Sequence, residues 1–125
     1  MRLLLDSCVV VWWMDDPKRV APAARAAITD SRNAVFLSAA SVWELGLKIA
    51  RGKLRLPADY VARLRQDGIT DLSVTVDHAV ASLSLPNIHA DPFDRLLIAQ
   101  AVEEGLVLVT RDHLILQYPV AQLAA

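Results

Sequence analysis

The sequence predicts an α/β fold in which a parallel sheet is covered by helices on both faces. Three observations lead there. Short apolar runs alternate with longer segments of helical character. The runs lack the polar alternation of a half-exposed strand, so they read as strands buried on both faces. No repeat, low-complexity tract or linker interrupts the order, so residues 1–125 read as one domain.

The elements follow in chain order. Residues 2–5 are a short buried strand ending at Asp6. Residues 7–14 fit either a strand, because of Val9, Val10 and Val11, or a helix, because of their length and the preceding turn. Residues 22–30 are a helix with an early proline and an Ala-rich body, and residues 35–37 a second strand. Residues 38–51 form a strong helix that Ser38 caps, in which Val42, Leu45 and Ile49 make a stripe and which Gly52 stops. Residues 57–67 are a further helix closed by Gly68, and residues 72–76 a third strand. Asp77 caps a short helix that ends before Pro86. Residues 91–104 form the second strong helix, with Asp91 at the cap, Pro92 at the first position and Gly105 past the end. Residues 106–109 are a fourth strand, and Val120 seeds a fifth.

Composition narrows the class. The one cysteine, Cys8, excludes an internal disulfide and suits a reducing compartment. The longest apolar run, residues 8–14, is far short of a membrane span. The opening Met1-Arg2-Leu3-Leu4-Leu5 looks like a signal sequence, but Asp6 interrupts it too early, so the expectation is a cytoplasmic protein without a membrane segment. The net charge of −1 lacks the basic excess usual in nucleic-acid binders. The balance turns positive once four acids are set aside as metal ligands.

Ligands of parallel α/β sheets bind at the carboxyl ends of the strands. Asp6 directly follows the first strand, and Asp112 follows the fourth. Asp94 lies in the first turn of one strong helix, and Glu44 lies inside the other. Each has a local explanation: Asp94 suits the helix dipole, Glu44 can pair with Lys48 four residues on, and Asp112 can be a turn residue. Gathered together, unpaired carboxylates repel and call for a cation. Oxygen ligands suit Mg²⁺ or Mn²⁺ better than zinc, and the chemistry of such a site is phosphodiester hydrolysis. Arg95 and Arg111 adjoin the acids and are candidate contacts to substrate phosphate. His78, His89 and His113 are scattered and read as structural or surface residues. Trp12, Trp13 and Trp43 read as core or interface residues.

The wording of the chain adds a resemblance. Leu3-Leu4-Leu5-Asp6, Ser41-Val42-Trp43-Glu44 with Lys48 and Gly52-Lys53-Leu54 beyond, Asp91-Pro92-Phe93-Asp94-Arg95 followed by Ile98-Ala99-Gln100-Ala101, and Thr110-Arg111-Asp112 occur in the order and spacing of PIN-domain proteins. Within that family they resemble the VapC-type toxin ribonucleases of toxin–antitoxin pairs, over nearly the whole chain. The resemblance implies a three-layer α/β/α domain with a central parallel sheet of four to five strands. It implies a Mg²⁺- or Mn²⁺-dependent endoribonuclease, with RNA as substrate and a cognate antitoxin as partner. Asp6, Glu44, Asp94 and Asp112 match the family's four acids, expected to be both catalytic and metal-binding, and Thr110 matches the hydroxyl residue beside the last. The family's usual Asp-Thr-His opening is here Asp6-Ser7-Cys8: Ser7 keeps the supporting hydroxyl, and Cys8 replaces the imidazole.

Other enzyme classes lack their marks. The four glycines form no phosphate-binding loop. Cys8 stands where a haloacid-dehalogenase-like phosphatase needs a second Asp, and the paired acids of a phospho-receiver are missing. The alternative is a catalytically silent PIN-like module that binds protein or RNA. Finally, Val9-Val10-Val11-Trp12-Trp13-Met14 is apolar on more faces than one short helix buries. That predicts coverage by another chain, either a second copy in a homodimer or an antitoxin segment; the competing reading is burial within the monomer.

Overall fold

A computed structural model describes all residues 1–125. Five strands, β1 (Arg2–Leu5), β2 (Ala34–Ser38), β3 (Thr70–Leu72), β4 (Val107–Thr110) and β5 (Gln122–Ala124), form one sheet in the order β3-β2-β1-β4-β5. Every pairing is parallel; Leu4 stands opposite Phe36 on one side and Leu108 on the other. Six helices connect the strands: α1 (Ser7–Asp15), α2 (Pro22–Thr29), α3 (Ala39–Ala50), α4 (Tyr60–Gln66), α5 (Val76–Leu83) and α6 (Pro92–Glu104).

The central strand shows why the runs carry no polar alternation. Leu3, Leu4 and Leu5 are all fully buried. Because successive side chains of a strand point to opposite faces, Leu3 and Leu5 pack with Val9, Ala24, Leu45 and Leu64 of α1 to α4. Leu4 packs on the other face with Leu97, Ile98 and Ala101 of α6. The result is the expected three-layer α/β/α architecture.

Local chemistry sets the ends of the strong helices. Ser38 caps α3 by accepting a hydrogen bond from the Ala40 N–H at 3.0 Å. Asp91 caps α6 by accepting from the N–H groups of Phe93 and Asp94 at 2.9 and 3.1 Å. Gly105 ends α6 at φ +65°, where a Cβ is disfavoured. Arg2 crosses from β1 to donate to the Glu104 carbonyl at 2.7 Å, placing positive charge at the C-terminus of α6.

The structure departs from the sequence reading at several points. Residues 7–14 are helical despite three valines, because the chain must turn back across the sheet after β1. Their apolar faces are covered within the monomer: Val9, Val10 and Trp12 are buried, and Val11, Trp13 and Met14 pack against the same core. This removes the argument that a second chain is needed to cover them. The third strand lies at Thr70–Leu72, not 72–76. Residues beyond it are taken by a capping box, in which Thr75 accepts from the His78 N–H and the His78 ring accepts from the Thr75 N–H. Thr75, not Asp77, is therefore the cap of α5. In the stripe of α3, Leu45 is buried but Ile49 is 37% exposed.

Candidate active site

The strand order puts the site where physics expects it. From β1 the chain builds outward through β2 and β3, then returns to add β4 and β5 on the other side. A crevice opens at such a reversal, at the carboxyl ends of the two strands that flank it. Asp6 sits at the end of β1, and Thr110 and Asp112 at the end of β4. The second turn of α3 and the first turn of α6 bring Glu44 and Asp94 to the same edge. All four carboxylates line one pocket of about 360 Å³, together with Asp91, Ser7, Cys8, Trp12, Lys48 and Arg111.

Two hydroxyls hold the innermost acids. Thr110 Oγ1 donates to Asp6 Oδ2 at 2.8 Å and accepts from the Asp112 N–H at 3.1 Å, joining both strand-end acids through one side chain. Ser7 has a single hydroxyl proton. Ser7 Oγ lies 2.6 Å from Glu44 Oε1 and 3.4 Å from Asp6 Oδ1, so it donates to Glu44. Lys48 approaches the other Glu44 oxygen at 3.6 Å, so the pairing read from the i,i+4 spacing is present inside the pocket. Asp112 Oδ1 accepts from the Leu114 N–H at 2.8 Å, as a turn residue does. The local explanations and the shared pocket hold together.

The electrostatics record crowding. Burial raises the Asp6 pKa; the Thr110 hydrogen bond opposes this, and the charges of Glu44 and Asp112 add to it. Asp94 is pushed up to about 7, mainly by burial and further by Asp91, Asp6 and Glu44, against a lowering contribution from His89. Protonation is how such a group relieves a charge with no compensating cation nearby. Cys8 is also raised, first by burial and then by Asp6, while Arg19, Lys48 and Arg111 pull it down.

No three His, Cys, Asp or Glu side chains close into a ready-made metal cage. The donors are carboxylate oxygens spread along a pocket wall. That set fits Mg²⁺, which keeps several of its waters and takes one or two carboxylates, better than a cation needing a full protein shell.

The two arginines differ. The Arg95 guanidinium is committed to the protein interior: it donates to the Pro86, Ser82 and Leu85 carbonyls at 2.8, 3.0 and 3.2 Å and to Tyr118 Oη at 3.2 Å. Its adjacency to Asp94 in sequence made it a candidate RNA contact; the helix turns it away, and both Nη groups are engaged by the segment before the helix and by Tyr118. Arg111 stays at the pocket, stacked 4.4 Å from the Trp12 ring centroid and bonded to the Ala125 and Arg19 carbonyls. Trp43 is not core: it is 63% exposed and meets Phe93 edge-on at 5.2 Å. His78 is buried, as read. His89, read as a structural or surface residue, bonds Asp94 Oδ2 at 3.2 Å. Its position five residues before an acid was the available signal. Tyr118, its other partner, gave none.

Fold and site together define a parallel α/β domain with a pocket of acids at its switch point, and a sequence model of the PIN domain matches residues 3–120. The chain belongs to the PIN domain family. It is 33% identical over 114 residues to Ribonuclease VapC22 of Mycobacterium tuberculosis, covering 89% of this chain and 87% of that protein. A shorter stretch of 59 residues, 44% of this chain and 40% of the relative, is 48% identical to Ribonuclease VapC16 of the same organism. The fold is shared with VapBC2 from Rickettsia felis bound to a DNA fragment from its promoter (TM-score 0.75, 14% identity, 99% of this chain and 98% of that one). It is shared too with FitAcB from Neisseria gonorrhoeae (TM-score 0.64, 24% identity, 96% and 95%).

Proposed function

We propose that this chain is a metal-dependent endoribonuclease that hydrolyses RNA phosphodiester bonds with Mg²⁺ or Mn²⁺, and that it is the toxin of a toxin–antitoxin pair. The observation that carries the reading is the convergence of Asp6, Glu44, Asp94 and Asp112 on one pocket at the β1/β4 edge. The similarity to two VapC ribonucleases supports the substrate class. The shared fold of VapBC assemblies supports a cognate antitoxin as partner.

In this reading Asp6, Glu44 and Asp94 hold the cation, and Asp112 stands beside them. Thr110 occupies Asp6 Oδ2 and Ser7 occupies Glu44 Oε1, so each hydroxyl fixes one oxygen and orients the other. When bound, a divalent cation acidifies water and neutralises charge developing on phosphate. Arg111 and Lys48 bring positive charge to the rim, where the phosphates flanking the scissile one would lie. No helix is long and apolar enough to cross a membrane.

Cleavage of single-stranded RNA with Mg²⁺, with EDTA and with Asp6→Asn tests the reading. We expect loss in EDTA and a fall of about 10²-fold or more in turnover for the variant, the scale of removing one transition-state charge contact. Undiminished turnover in EDTA would overturn it. DNA of the same sequence is the control for substrate class. A homodimer belongs to the same proposal and is read by light scattering at micromolar concentration. Val76, Val80 and Leu83, exposed apolar side chains of α5, are the surface it would cover.

A further inference from the structure

Behind the pocket, Asp94 is one end of a buried polar circuit. Tyr118, only 3% exposed, packs its ring edge-on against His89, with centroids 5.4 Å apart. Its hydroxyl oxygen accepts from two N–H groups, the backbone of His89 at 3.3 Å and Arg95 Nη1 at 3.2 Å. That oxygen has two lone pairs, so both are used. Its proton therefore goes to the remaining neighbour, His89 Nδ1, at 2.7 Å. An imidazole that accepts at Nδ1 carries its proton on Nε2, and Nε2 lies 3.2 Å from Asp94 Oδ2. Arg95, next to Asp94 on α6, closes the circuit by gripping the carbonyls of Ser82, Leu85 and Pro86 in the segment that leads to His89. Every hydrogen-bonding direction is set by the next member.

The geometry points to His89 as the positioning residue of Asp94, its Nε2–H holding Oδ2 while Tyr118 fixes the ring's tautomer and Arg95 fixes the tyrosine hydroxyl. No protein donor reaches the other carboxylate oxygen, Oδ1, which is left for the ion. A first-turn aspartate on a helix otherwise swings freely about its side-chain torsions. Here one oxygen is anchored, so less is lost when the other binds. Outer partners of metal ligands act this way, and removing one costs about ten- to hundredfold in metal affinity. The inference rests on the metal reading of the pocket.

Two measurements on the metal-free chain test it. Long-range ¹H–¹⁵N spectra of the imidazoles should show the His89 proton on Nε2 in the wild type, and a loss of that single tautomer in Tyr118→Phe. Calorimetric titration with MnCl₂ should show about ten- to hundredfold weaker binding in His89→Ala. Tyr118→Phe should weaken binding in the same direction by less. The double variant should be no weaker than His89→Ala, because the tyrosine acts through the histidine. His89→Gln should recover part of the loss, since its amide can still donate to Oδ2. Tyr118→Phe preserves shape and keeps the test open if His89→Ala fails to fold. A wild-type ring protonated on Nδ1, or Mn²⁺ affinity unchanged in both single variants, overturns the inference. A wild type that takes up no Mn²⁺ overturns the metal reading and this inference with it; a wild type that binds while the variants bind equally well overturns this inference alone.

Discussion

Asp94 makes the fold's stability respond to pH in a direction opposite to that of an ordinary ion-paired carboxylate. Its folded value is raised to about 7, whereas an aspartate in an unfolded chain titrates near 4. Between those values the folded chain holds a proton that the unfolded chain has released, so stability falls as pH rises through the window. Urea unfolding in EDTA from pH 4 to pH 8 is expected to show this fall, and Asp94→Asn to reduce it, with Asp6, raised in the same direction, contributing the rest. Added Mn²⁺ should restore stability at the upper end, because an ion bound only to the folded state shifts the equilibrium toward it. Asp6, Asp112 and Asp94 were legible as pocket-edge acids because strand ends and helix starts are legible; Glu44, inside α3, was marked by the resemblance. Their supports were less so. Thr110 and Ser7 stand within two residues of an acid, and the resemblance to the family marked both. Tyr118 lies 29 positions from His89, and nothing local marks a contact made only by the tertiary fold.

Among the elements, α6 shows how a sequence neighbour misleads. Asp94 and Arg95 are adjacent, but one residue of helix turns a side chain by about 100°. Asp94 faces the pocket, and Arg95 faces the segment before the helix. Arg95 is therefore a structural clamp, and Arg95→Gln is expected to cost about 2–4 kcal/mol in chemical unfolding, from several charge-assisted hydrogen bonds lost at once. An Arg95→Gln chain as stable as the wild type would show that the clamp contributes little. Caps made the two strong helices legible: Ser38, Asp91 and Gly105 perform the roles their chemistry suggests. The short third strand was displaced because Thr75 and His78 satisfy each other's backbone groups, and that reciprocal pairing is weakly visible beside a β-branched run. Helix α1 was ambiguous for a related reason, since valine favours strands locally and only the need to cross the sheet decides.

At the scale of the whole molecule, β1 is enclosed on both edges by strands from opposite ends of the chain. Hydrogen exchange should therefore be slowest at the amides of Leu3 to Leu5 and faster in the outer strands β3 and β5, since opening the centre requires unfolding both halves. Equal protection across the sheet would contradict this. The same enclosure bears on how the protein is made. A domain folds as a unit while the chain is delivered N-terminus first, and Asp6 receives its backbone partner from Val109 and its hydroxyl partner from Thr110. The first acid to be translated waits for nearly the last strand before its pocket exists. A nascent chain still missing β4 carries the aspartate without its partners, so the pocket cannot assemble until translation is almost complete.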